Sequence, residues 1–360
     1  MIQTLGVASG LLGMLKGTKH TGLTALKVSG GFDACARSEW RRQRLAILCY
    51  HGVSLSDEHQ WDPALYVSEE ALRGRFELLR RMGCPILPLA EAVERLDQGT
   101  LPQQAVSITF DDGSYDFFHK AVPLLEEFGF PATVYLTTYY VDTQLPVFDV
   151  ALAYTVWKAD RIEAIHDVKD ITPYLKDISL HRHDPYGAVS GIREYAHTQG
   201  LSARDRDDLL TRIAQAVGVD LEGLRSRRML SLMSPGEVAS LPDLVDVQLH
   251  THRHRSPDTR DAFVREIEDN RRRIRELLGP EHILEHFCYP SGVYDRVQLP
   301  WLADLGVRSA TTVESGLAGP EHPPLLLPRV IDTMNLSDLE FEAWITGAWP
   351  RMLAAARLRR

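Results

Sequence analysis

The chain has 360 residues, 44% hydrophobic and 25% charged, with a formal net charge of -9. That length holds one large domain or two ordinary ones, and the composition is that of an ordinary soluble globular protein. The negative balance and the lack of a basic-aromatic motif exclude general nucleic-acid binding, while four scattered cysteines (Cys35, Cys49, Cys84 and Cys288) form neither a thiolate zinc site nor a disulfide scaffold.

Residues 2–15 are uncharged and mildly apolar, too short to span a bilayer, and lack the basic flank of a signal peptide. The expectation is a helical N-terminal extension, 1–44, packed on the body of a cytoplasmic protein. Lys16, Lys19, His20 and Lys27 make peripheral contact with a membrane surface the alternative. Residues 45–50 form a continuous apolar run suited to a buried strand, and it ends in His51-Gly52. Ser68 opens a helix with the stripe Leu72, Phe76, Leu79 and Met82, and Gly83 closes it. Residues 86–87 read as a short strand and 89–96 as a short helix. The apolar run 105–110 then stops at Asp111-Asp112-Gly113.

A helix over 117–128 and a strand over 132–136 continue the alternation expected of a parallel α/β sheet or barrel. The rhythm breaks over about 142–235, read as a mostly helical insertion that carries His166; its His181-Arg182-His183 reads as a solvated loop, with substrate contact the alternative. It returns with a strand over 244–249 ending in His250-Thr251-His252-Arg253-His254. A helix carrying Phe263, Ile267, Ile274, Leu277 and Leu278 follows, and Gly279 ends it. Strands over 286–289, 308–313 and 325–327 complete a body of 45–345. Phe341, Trp344, Ile345, Trp349 and Leu353 suggest one amphipathic helix running into a basic tail, 346–360.

Several of these strands end in polar side chains: His51, Asp111-Asp112, His250, Tyr289 and Arg329. In a parallel barrel all strand C-termini lie on one face, so these groups converge there. Adjacent carboxylates repel each other unless a cation or proton offsets the charge; the alternative for such a short motif is an Asp-Gly turn with a spare acid. His250 and His254 are spaced to share one side of a helical turn. Two imidazoles and one carboxylate make a three-ligand metal set with open positions, which leaves the second carboxylate free as a general base. His252 alternates with this pair and faces solvent or supports it.

Thr109-Phe110-Asp111-Asp112-Gly113 and His250-Thr251-His252-Arg253-His254 together resemble the first two motifs of the polysaccharide deacetylases, the NodB-homology carbohydrate esterases. The resemblance spans about 45–333, interrupted by the insertion. It implies a deformed (β/α) barrel carrying a divalent metal ion, most often zinc, that removes acetyl groups from an acetylated glycan or polysaccharide. It further implies Asp111 as the base, Asp112, His250 and His254 as metal ligands, and Thr251 as a buttress of the loop. The third motif departs from the common pattern. Cys288 and Ser291 stand where an Arg and a Tyr are usual, around Tyr289-Pro290. Tyr289 and the Ser291 N–H are then expected on the substrate and oxyanion side, and Arg329 is expected to orient Asp111. No late Leu-x-His motif follows the barrel strands. Residues 48–51 instead resemble the first strand of the permuted branch, which makes His51 the general acid, with a structural histidine as the alternative. An O-acetyl esterase and a glycan-binding protein with a degenerate site are the rival readings.

Overall fold

The computed structural model describes residues 9–159 and 185–357. His166, His181 and His183, residues 2–8 and the last three residues of the basic tail lie outside the described residues. Among the described residues nine strands are formed: β1 Ala46–Tyr50, β2 Gly52–Val53, β3 Tyr66–Val67, β4 Val106–Phe110, β5 Ala132–Leu136, β6 Val245–Leu249, β7 His286–Cys288, β8 Ser309–Ser315 and β9 Leu327–Ile331. Seven of them close into an all-parallel barrel in the order β1-β4-β5-β6-β7-β8-β9, and β2 and β3 form a separate pair.

Side chains alternate along each strand, and the two sets enter different cores. Ala46, Leu48 and Tyr50 of β1, with Val106, Ile108 and Phe110 of β4, join the large cluster under the helices. The opposite set, Leu45, Ile47, Ala105, Tyr135, Cys288 and Leu327, packs together as a second cluster. The helix Glu69–Met82 begins at Ser68, whose side chain caps it, and ends on Gly83 in the left-handed region (φ 67). Both ends follow from capping chemistry legible in the residues.

The 142–235 stretch is helical where described, with Phe148–Lys158, Pro185–Thr198, Ala203–Val217 and Leu221–Ser226. These helices share a core of their own, including Leu152, Tyr154, Ile192, Leu209, Ile213 and Leu224, which also takes in Tyr66 of β3. The insertion is therefore seated against the chain segment that follows His51.

Four local expectations are revised. Residues 86–87 make a single bridge to Val106 and no strand, because Pro85 and Pro88 flank them and neither can donate to a ladder. Residues 324–326 are a 3-10 turn, and the strand starts at Leu327, so Arg329 sits inside β9 and not beyond its end. The C-terminal amphipathic helix is two, Asp338–Thr346 and Ala348–Arg357, parted by Gly347 at φ 80. His250 and His254 share no helical turn, since the chain there is an irregular loop with Thr251 (φ 63) and His254 (φ 53) in the left-handed region. No described helix is long and apolar enough to cross a membrane. Lys19 and Lys27 of the first helix pair with Glu340 and Glu342.

Arg41 fastens the N-terminal helices to the barrel. It is fully buried and donates to the carbonyls of Ile345, Arg44 and Ala105, one on each of three segments. Burial pulls its pKa down to about 10, and it has no ion-pair partner among the described residues. Replacing Arg41 by Leu strands three buried acceptors, each costing about 1–3 kcal/mol, partly offset by the desolvation no longer incurred. The Arg41→Leu chain is expected to lose about 2–4 kcal/mol of stability, read from its denaturant midpoint at unchanged slope.

Candidate active site

Asp111 continues the inward-facing series of β4 (Ala105, Ser107, Thr109), so alternation alone directs its carboxylate into the barrel. Arg329 continues the inward series of β9 and meets it there. The pair is bidentate, with Nη1 to Oδ1 and Nη2 to Oδ2 both at 2.7 Å, and Arg329 is fully buried. Arg329 is itself positioned by donating to the Thr312 carbonyl (2.9 Å) and to Thr109 Oγ1 (3.2 Å). Two flat, parallel charge-assisted bonds fix the plane of the carboxylate as well as its charge. Burial pushes the Asp111 carboxyl upward, but the Arg329 guanidinium, helped by His51 and His250, overrides it and holds the pKa down at about 2.

Two thiols touch the same carboxylate oxygen. Cys288 Sγ is 3.5 Å and Cys49 Sγ 3.8 Å from Asp111 Oδ2. Burial raises both thiol pKa values well above the ordinary range, so both remain neutral, weak donors. His51, just past β1, brings Nε2 to 3.5 Å from the same Oδ2 and is partly open to solvent.

Asp112 leaves the strand pattern because the backbone turns left-handed at Asp112 (φ 69) and Gly113 (φ 81). Only glycine fits the second position: a Cβ there would lie 2.3 Å from Leu136 Cδ1. The turn swings the Asp112 carboxylate away from Arg329 and onto the histidine loop. Its Oδ1 lies 3.1 Å from His250 Nε2 and 3.0 Å from His254 Nε2. Burial works against the Asp112 charge, yet the two imidazoles hold its pKa well below the carboxylate range. Burial likewise opposes a charge on His250, and Asp112 overrides it to raise the imidazole pKa.

The tautomer of His250 tests whether these three groups suit a cation. Its Nδ1 lies 2.8 Å from the Cys288 carbonyl, which can only accept, so Nδ1 carries the proton. In the neutral ring Nε2 then points a lone pair at a carboxylate oxygen, and two acceptors face each other unless a second proton or a metal ion stands between them. The Nδ1–H to carbonyl bond is also the usual support of a metal-ligating histidine. Ligand atoms about 2.0–2.1 Å from a tetrahedral ion are about 3.3 Å apart, close to the separations seen. The set Asp112, His250 and His254 fits a divalent metal.

Against this geometry, known proteins give a consistent answer. Residues 98–172, which include Asp111 and Asp112, match the family model described as polysaccharide deacetylase. Over 109 residues the chain is 32% identical to the poly-beta-1,6-N-acetyl-D-glucosamine N-deacetylase of Escherichia coli (strain K12), covering 30% of this chain and 16% of that protein. The deacetylase PplD of Streptococcus pyogenes, solved with acetate, superposes at TM-score 0.56 with 17% identity, covering 84% of this chain and 98% of the other. The chain is similar to the NodB-type polysaccharide deacetylases and shares their barrel fold. IcaB from Ammonifex degensii superposes at TM-score 0.53 with 18% identity over 84% of this chain and 97% of that one. At such identities these two structures speak for the fold. The sequence match spans about a sixth of the curated E. coli relative.

Within this barrel, the remaining residues singled out from sequence fall in different places. Thr251 is buried and its Oγ1 accepts from the Arg255 N–H at 3.1 Å, bracing the loop across His254. His252 is turned to Thr138 Oγ1 (2.8 Å), outside the three-ligand group. Ser291 follows β7 in the left-handed region (φ 54), exposed and three residues past Cys288. Tyr289 is corrected: its ring is buried against Phe287 and Tyr294, and its hydroxyl donates to the Leu325 carbonyl at 3.0 Å. Apolar packing claims that ring, so its side chain is a core element and not a substrate contact.

Three supporting residues escaped the sequence reading. Asn270 accepts from the His250 N–H (3.0 Å) and donates to the Leu136 carbonyl (2.9 Å) and Thr138 Oγ1 (3.0 Å), tying the ends of β5 and β6 together. Glu266 is buried and gathers the Arg253 N–H and the Arg253 and Arg255 guanidiniums. Both stand on the helix Arg260–Leu278 beside Phe263, Ile267 and Ile274, so polar residues interrupting an apolar stripe were the available signal. Asp116, buried and pushed up to about 7 by that burial, accepts from the Val53 N–H and Ser114 Oγ and props the segment after His51.

Because His254 contributes one of three donors and is only partly buried, its removal spares the fold and opens the set. The His254→Ala chain is expected to keep its melting profile in chelator but retain at least about tenfold less divalent metal after dialysis, counted by elemental analysis.

Proposed function

We propose that this chain is a metal-dependent hydrolase that removes N-acetyl groups from N-acetylhexosamine units of a polysaccharide or glycan precursor. The observation that carries the reading is the division of the acid pair. Asp111 is held ionised by Arg329, while Asp112 turns to His250 and His254. The printed name of the E. coli relative, an N-deacetylase of poly-beta-1,6-N-acetyl-D-glucosamine, supports the substrate class.

Asp112, His250 and His254 would hold the ion, and zinc suits this mixed nitrogen and oxygen set. When bound, the ion polarises a carbonyl and lowers the pKa of water at the site. Asp111 accepts the proton of the attacking water. Arg329 holds its pKa below the ordinary carboxylate range, so it stands ionised and able to accept that proton, and activity should vanish with chelation. Arg329 keeps the carboxylate in one plane, and the neutral thiols of Cys49 and Cys288 occupy Oδ2 only weakly. The Ser291 N–H is the candidate donor to the developing oxyanion. His51, beside Asp111 Oδ2, delivers a proton to the departing amine, which is too basic to leave as an anion.

Acetate release from a panel of acetylated oligosaccharides, with and without chelator, tests the reading. The Asp111→Asn chain is expected to lose turnover while its metal content stays near that of the parent; retained turnover would sink the role of the base. The His51→Ala chain should lose about 10²–10⁴-fold in kcat on N-acetyl substrates. An undiminished rate on O-acetylated sugars in that variant, with no amide cleavage by the parent, reassigns the chain as an ester hydrolase.

A further inference from the structure

We propose that the cleft between the helical insertion and the histidine loop is a subsite for a negatively charged sugar unit, adjoining the unit that presents its acetamido group to Asp111. The proposal rests on the deacetylase reading for its position and on different residues for its chemistry. The cleft has a volume of about 340 Å³, within the range of small-ligand sites. Tyr139 and Tyr140 form one side at the end of β5, Phe148 and Arg206 of the insertion form another, and Arg253 and Arg255 come from the loop that carries His254. The Tyr139 N–H donates to the His252 carbonyl at 2.8 Å, so the cleft wall and the metal-ligand loop are one connected unit.

The charge of this cleft runs against that of the chain. The protein carries -9 overall, yet among the described residues three guanidiniums line the cleft against the one carboxylate of Asp207, and Arg225 already holds that carboxylate at 2.6 Å. Arg253 and Arg255 share the buried Glu266, and Arg253 also reaches Asp269 at 3.5 Å, while both side chains stay substantially exposed. No carboxylate among the described residues pairs with Arg206. Its Nε donates to the Leu201 carbonyl (3.1 Å) and its guanidinium lies over the Phe148 ring at 5.7 Å. A guanidinium held by its Nε and by a ring face presents its two outer nitrogens as a fork for a planar or tetrahedral anion. Aromatic faces beside it suit the apolar face of a pyranose. A positive cleft on an acidic protein also focuses the field on anions there. The shared ligand chemistry is a sugar bearing a carboxylate, as in a uronic acid, or a phosphate ester.

Three probes decide the matter on the full chain with its metal: an N-acetylglucosamine tetramer, a tetramer alternating N-acetylglucosamine with glucuronate, and the first tetramer carrying a 6-phosphate. Affinity is read as KM where acetate is released and as Kd where it is not. One charged probe is expected to bind about tenfold more tightly than the neutral tetramer, with a preference that shrinks as salt rises. The probe that wins identifies carboxylate or phosphate. Arg206→Ala should remove the preference, and Arg206→Lys should keep part of it. Equal affinity for all three probes, or a preference untouched in Arg206→Ala, overturns the subsite. Release of acetate from the neutral tetramer without any charge preference overturns the subsite alone and leaves the deacetylase reading standing. Charge-selective binding lost in Arg206→Ala, with no acetate released from any probe, upholds the subsite and overturns that reading.

Discussion

The ion pair between Arg329 and Asp111 is the constraint on which the rest of the site depends. Both partners are buried inside the barrel, where an unpaired charge of either sign would cost several kcal/mol. Because the guanidinium takes both carboxylate oxygens, Asp111 is poorly placed to serve as a second metal ligand. The neighbouring Asp112 is turned by a left-handed backbone toward two imidazoles. Each of two adjacent acids thus has its own cationic environment, and their mutual repulsion is resolved by geometry.

That geometry is maintained from beneath by the helix Arg260–Leu278. Asn270 spans the backbone between β5 and β6, while Glu266 anchors the arginines on either side of His254. The histidine loop is irregular and has two residues in the left-handed region, a conformation that persists only where the surroundings over-determine it. Thr251, Asn270 and Glu266 supply those surroundings. The same Glu266 leaves Arg253 and Arg255 facing the cleft under the insertion, so the loop that orders the candidate ligands also shapes the wall beside them.

Much of the barrel was legible because its strands are continuous apolar runs and its helices carry stripes with capping residues at both ends. Ser68 and Gly83 bounded their helix as capping chemistry requires. Legibility failed where a local pattern was ambiguous about partners. Residues 86–87 have strand-like side chains but lack ladder donors on either flank. The run from Phe341 to Leu353 keeps one apolar period across Gly347, although the helix breaks there (φ 80). Tyr289 looked like a polar group at a strand end, and apolar neighbours claimed its ring. Asn270 and Glu266 were hidden because a polar residue on a helix stripe reads as a flaw until its partners are known.

The sequence by itself determined the chemistry on offer: an acid pair ending a buried strand, a histidine pair ending another, and an arginine within reach of neither in the chain. Residue type and strand periodicity are local properties, so these could be read without coordinates. Only the tertiary structure decided which acid met which partner. Asp111 and Arg329 are 218 positions apart, and their meeting depends on closure of the barrel and on the inward parity of β4 and β9. The turn at Asp112 and Gly113 likewise has Leu136 of β5 packed against it, 2.3 Å from where a Cβ on Gly113 would stand. Long-range closure sets these contacts, and no local pattern encodes it.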